Sequence, residues 1–103
     1  DYTVAPIFMK DSEKGSHEWL IEFKIAPIDL EKFRHSLDEN IQGVNSDYEA
    51  KRYNNMTLNP LSLRVARQNL FYDWLKKQDK LGGQHKVPRL SNDRNYLESL
   101  LQL

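Results

Sequence analysis

The alternation across His17-Glu18-Trp19-Leu20-Ile21-Glu22-Phe23-Lys24-Ile25 constrains the fold most. Trp19, Ile21, Phe23 and Ile25 fall on one face of an extended chain. Glu18, Glu22 and Lys24 fall on the other, with Leu20 as the exception. The stretch therefore reads as a strand with one apolar face, and Pro27 ends it. Residues 2–9 are rich in β-formers and read as a partner strand; Pro6 removes a ladder donor and predicts an edge or a bulge. The polar run 10–16 between them is a turn, so the two strands form an antiparallel hairpin.

Helical spacing follows. Asp29 is a good N-cap for a helix through about Gln42, with Leu30, Phe33, Leu37 and Ile41 as its buried stripe and Gly43 as its stop. Asn45-Ser46-Asp47 caps a short second helix that fades near Asn54. After the turn at Asn59-Pro60, Leu61, Leu63 and Val65 alternate with Ser62, Arg64 and Ala66 as a third strand. Asn69 caps a helix with Leu70, Phe71, Trp74 and Leu75 inward, and Ser91 caps a last helix with Tyr96, Leu97, Leu100 and Leu101 inward. The order is β-β-α-α-β-α-α. That predicts an α+β fold, a small and mainly antiparallel sheet of about three strands covered by helices.

At 103 residues the chain fits one domain, and 39% hydrophobic residues supply a modest core. The absence of cysteine excludes disulfides and thiolate metal sites. His17, His35 and His85 have no metal-ligand spacing, so no metal is expected. No run approaches the roughly 18 apolar residues of a membrane span, no signal peptide is visible, and a cytoplasmic setting is expected. Trp19, Phe23, Phe33, Phe71 and Trp74 are expected in the core rather than as a platform for bases. The neutral net charge argues against a nucleic-acid partner. Asp38 and Glu39 are expected on a solvated helix face.

Charge is uneven. Residues 1–63 carry 7 Lys and Arg against 11 Asp and Glu, whereas residues 64–103 carry 8 against 4. The basic part contains Lys80-Leu81-Gly82-Gly83-Gln84-His85-Lys86-Val87-Pro88-Arg89-Leu90. Gly82 and Gly83 free the backbone, while Pro88 stiffens it and holds Val87 extended. On spacing alone this is first an inter-helix turn with solvated cations, and second a loop that presents Lys86 to an anion. A lysine so placed needs a second surface to complete a site. Tyr48 and Arg52, on the polar second helix, are candidates for a docking face.

Three stretches carry a resemblance: Asn45-Ser46-Asp47-Tyr48-Glu49-Ala50-Lys51-Arg52, Phe71-Tyr72-Asp73-Trp74-Leu75, and Gly82 through Asn92. Together they resemble the C-terminal domain of the Gretchen Hagen auxin-responsive family, in a bacterial-type form, over almost the whole chain. Members of that family are acyl acid–amido synthetases of the adenylate-forming superfamily, and so ligases. The resemblance implies that a carboxylic acid and ATP, with Mg, give an acyl-adenylate, and that an amino acid amine then displaces AMP. It also implies a large N-terminal adenylation domain, over which the small domain moves. The family's Gln-aromatic-Lys-x-Pro-Arg motif matches Gln84-His85-Lys86-Val87-Pro88-Arg89, with His85 where plant members tend to carry Tyr. Lys86 thereby carries over as the phosphate-facing catalytic lysine, Arg89 as its weaker companion, and Gly82, Gly83 and Gln84 as the mobile loop. Tyr48 and Arg52 remain as interdomain docking residues. The family's Gly-Thr-Phe ahead of a helix is Gln68-Asn69-Leu70-Phe71 here. The Ser/Thr/Gly-rich ATP motifs are missing, so the chain is expected to be an excised domain, inactive alone. The rival reading is a non-catalytic module that docks a protein or an anionic partner.

Overall fold

The computed structural model describes residues 1–8, 14–53, 58–78 and 87–103. Among these residues seven elements follow in the expected order: β1 Tyr2–Ile7, β2 Ser16–Ile21, α1 Leu30–Val44, α2 Ser46–Arg52, β3 Ser62–Val65, α3 Leu70–Lys77 and α4 Asn95–Leu101. The turn after Met9, the fading of α2 near Asn54 and the stretch Lys80–Lys86 fall outside the described residues.

The sheet has β2 at its centre. β1 pairs with it antiparallel, Val4 opposite Trp19, and β3 pairs with it parallel, Leu63 opposite Trp19. The sheet is thus mixed, α+β as expected. The parallel pair has a topological cause: β2 reaches β3 only through the crossover of α1 and α2, which returns the chain to the end where β2 began. β1 is an edge strand, as Pro6 requires. Its outer side is partly closed by residues 89–91, through a parallel bridge between Val4 and Leu90.

The register places Thr3, Ala5, Glu18 and Leu20 on one face. The main core lies there, where Ala5 and Leu20 meet Ala66, Leu70, Phe71, Trp74, Val87, Leu97 and Leu100. Leu20, the exception in the alternation, is therefore a central core residue at 1% exposure. Trp19 and Ile21 are only half-buried, on the second face. The alternation pointed to the wrong face because it counted Glu18 as outward. Glu18 is buried, held by Arg94 Nη2 at 2.7 Å and Arg64 Nε at 3.1 Å. The strand also stops at Ile21, where its partners run out; Glu22 N–H still donates to Asp1 O and Ala66 N–H to Ile21 O, both at 2.8 Å. Ile25, expected inward, is 88% exposed.

The caps divide likewise. Asp29 accepts from Lys32 N–H at 3.0 Å and opens α1 as expected. Asn45, rather than Gly43, closes that helix by donating its N–H to Ile41 O at 3.0 Å. The Asn45 side chain then accepts from Tyr48 N–H at 3.1 Å and opens α2. One residue thus fixes the corner between two helices. Asn69 precedes α3 but makes no side-chain cap. It sits in the left-handed region at φ 68, and its N–H donates to Glu22 Oε2 at 3.0 Å. Ser91 does not cap α4 either; its N–H donates to Val4 O at 3.1 Å, and the helix begins at Asn95. α3 and α4 are joined by Trp74, which donates Nε1–H to Ser99 Oγ at 2.8 Å and meets Tyr96 edge-on.

Leu100→Ala, at a position with no exposed surface, is expected to cost about 2–5 kcal/mol. Val65→Ala, at a half-open edge position, is expected to cost under about 1 kcal/mol. Urea unfolding midpoints check both.

Candidate functional site

Arg89 lies where the basic stretch rejoins the sheet. Val87 is buried in the core at 3% exposure, and from there the chain is tied residue by residue to β1. Thr3 Oγ1 donates to Pro88 O at 2.6 Å, Val4 N–H donates to Arg89 O at 2.9 Å, and Ser91 N–H returns to Val4 O. These bonds fix the backbone of Arg89 and leave its side chain outside. The guanidinium lies over the Tyr2 ring, 4.6 Å from its centroid, and 3.6 Å from the Asp1 carboxylate. Beneath it Tyr2 stacks on Trp19, with centroids 5.4 Å apart. A groove of about 330 Å³ opens here, between the Arg89–Leu90 edge and the end of α1, with Trp19 and His17 in its wall and Ile41 and Asn45 opposite.

His17 is half-buried there, its ring 6.1 Å from that of Tyr48. Burial lowers its pKa, and the Lys51 charge lowers it further, so the imidazole is neutral near pH 7. Among the described residues no hydrogen bond reaches either ring nitrogen of His17.

Tyr48 and Arg52, expected on an outer docking face, turn inward. Both converge on Asp38, which the helical pattern placed on a solvated face and which is 2% exposed. Arg52 Nη2 donates to Asp38 Oδ2 at 2.7 Å, and Nε donates to Oδ1 at 3.0 Å. Tyr48 Oη–H donates to Oδ1, and Gln42 Nε2 donates to Oδ2 at 3.0 Å. Burial by itself raises the Asp38 pKa. The hydrogen bonds from Arg52 and Tyr48, the Arg52 charge and a backbone bond from Leu61 outweigh it and hold the carboxyl at about 2. Burial and the Asp38 hydrogen bond push the Tyr48 hydroxyl well above its usual range. The role of this constellation is structural: it locks α2 to α1 and, through Leu61, to the approach to β3. No sequence period could have shown it, because the partners stand 10 and 14 residues apart on different helices.

Lys86, Gly82, Gly83 and Gln84 lie outside the described residues. Among the described residues no cluster of three acidic, His or Cys side chains could hold a metal ion, and no helix is long and apolar enough to cross a membrane.

Asp38→Ala removes the buried carboxylate on which Arg52, Tyr48 and Gln42 converge, at an expected cost of about 3–5 kcal/mol. Folding lowers the Asp38 pKa from 3.8 to about 2, so the unfolded chain takes up that proton first. The resulting stability is complete above about pH 5 and fades as pH falls through 3.8 towards 2. A slope on the order of 2 kcal/mol in total is expected in acid unfolding of the parent protein, and it should be absent in Asp38→Asn.

Known proteins match this chain in two ways. The family model described as the GH3 family C-terminal domain matches residues 1–95. Among solved structures, a GH3.15 acyl acid amido synthetase aligns with a TM-score of 0.64 at 21% identity, covering 99% of this chain. AtGH3.15 acyl acid amido synthetase, solved in complex with 2,4-DB, aligns with a TM-score of 0.63 at the same identity and coverage. This chain spans 19% of the length of each. At that identity the likeness is one of fold. No curated protein matches the chain. With the family model matched over nearly its whole length, the chain belongs to the GH3 family, as its C-terminal domain.

Proposed function

We propose that this domain works as the moving C-terminal part of an ATP-dependent acyl acid–amido synthetase, a ligase that joins a carboxylic acid to an amino acid. The reading rests on one observation above the rest: Gln84-His85-Lys86-Val87-Pro88-Arg89 occurs in a chain that belongs to this family. The anchoring of that motif's end supports it. Three hydrogen bonds hold Pro88, Arg89 and Ser91 against β1, so the backbone of Arg89 is fixed. Arg89 is itself 57% exposed along its side chain, and its guanidinium makes no hydrogen bond among the described residues. A planar fork held only loosely by Asp1, at 3.6 Å, suits a phosphate or carboxylate.

In this reading ATP supplies the leaving group that activates the carboxylate. Lys86 places an ammonium against the negative charge that develops on the phosphate, an electrostatic role that needs no proton transfer. Arg89 orients the same anion from one side. Gly82 and Gly83 supply the backbone freedom to bring the lysine in, and Gln84 enters the loop with them. Mg²⁺ would enter with the nucleotide, and no residue of this domain is assigned to it. The nucleotide, the acyl pocket and the amine site belong to a separate N-terminal adenylation domain, so the domain is inactive by itself. A cytoplasmic setting, where ATP is available, suits this chemistry.

In the enzyme read from the whole reading frame, Lys86→Ala is expected to slow acid-dependent ATP–pyrophosphate exchange by about 10²–10³-fold. The urea midpoint should stay that of the parent. Unchanged exchange would remove Lys86 from the mechanism.

A further inference from the structure

We propose that the groove beside Arg89 is a docking site for the rest of the synthetase, receiving an apolar side chain flanked by a carboxylate; this rests on the reading that the domain works within such an enzyme. The second sheet face is covered unevenly. Hydrogen bonds bring α1 towards the β3 side, where Arg34 Nη1 donates to Leu61 O at 3.3 Å. On the β1 side the same face opens as the groove. Its walls are the Trp19 and Ile41 side chains, and Leu90 stands 70% exposed at its edge. An aliphatic side chain left this open beside an aromatic stack gains by being covered.

The polar groups at the groove fix the sign of the partner. Arg89 brings donors that no described residue uses, and the Asn45 amide nitrogen is likewise unbonded among the described residues. His17 adds a neutral ring, held so by burial. Among the described residues no carboxylate lines the groove; Asp1, 3.6 Å from Arg89, stands outside its lining. One guanidinium beside an apolar slot, with the Asn45 amide as a further donor, fits a carboxylate-bearing apolar segment and disfavours a basic one. The size of the partner agrees: the solved relatives are some five times longer than this chain, which covers 19% of them.

The test is hydroxyl-radical footprinting of the 103-residue chain and of the protein encoded by its whole reading frame. Labelling of Tyr2, Trp19 and Leu90 is expected to fall several-fold in the longer protein. Tyr72, exposed on α3, should label equally in both. Leu90→Asp changes an exposed side chain and should restore labelling without moving the urea midpoint. Equal labelling of the groove in the two proteins overturns the docking site. So does concentration-dependent protection of the short chain with dimers in sedimentation, which makes a second copy the occupant. Protection without pyrophosphate exchange upholds the docking and sinks the chemistry; exchange without protection does the reverse. A frame with no further domain overturns both.

Discussion

A carboxylate with almost no contact with water holds together the half of this domain that the main core does not reach. Asp38 lies on α1, and four side- or main-chain groups converge on it from α1, α2 and the approach to β3. The crossover that makes β3 parallel to β2 is thereby closed by charge and hydrogen bonding. α1 supports this interpretation: Phe33, Leu37 and Ile41 are only half-buried and Leu30 is exposed, so its apolar stripe is weakly used. Replacing the whole constellation by well-packed apolar side chains could be neutral for stability. What the polar version adds is geometry, since a bidentate guanidinium and a phenol accept only one arrangement of two helices.

Glu18 plays the matching part on the other face. It sits in the central strand, 5% exposed, between Arg64 of β3 and Arg94 beside α4. Arg94 also donates to Pro6 O at 3.0 Å, so one guanidinium spans the sheet and the start of the last helix. The two buried acids divide the fold. One orders the crossover, and the other ties the sheet to the C-terminal helices around the apolar core. No buried side-chain polar atom among the described residues lacks a partner, which is the condition under which such networks specify a single structure.

Between these two fixed halves runs β1, with the end of the basic stretch strapped to its open edge. Val87 is packed into the core and the next residues pair with β1, so the fold itself holds the backbone of Arg89. A side chain on such a mount is spared the entropy of a free tether. The groove opens beside that strap.

Much of this could be read along the chain. Element order, the Asp29 and Asn45 caps and the helix carrying Phe71 and Trp74 all depend on neighbours within a few residues, and local spacing carries that information. The Gln84–Arg89 motif is likewise a local pattern. The sequence could not show which face of β2 is buried, because Glu18 becomes an interior residue only when Arg64 and Arg94, 46 and 76 residues away, come to meet it. It could not show that Asp38 is interior, or that Tyr48 and Arg52 donate to it. Asn69 kept its place before a helix but lost its capping role to a left-handed backbone that Glu22 holds. Sequence by itself determined the order of helices and strands and where α1 and α2 begin, since caps and periodicity act over one or two turns. Tertiary structure alone decided which charges go inside, since a buried carboxylate is stable only where distant cations and donors converge on it.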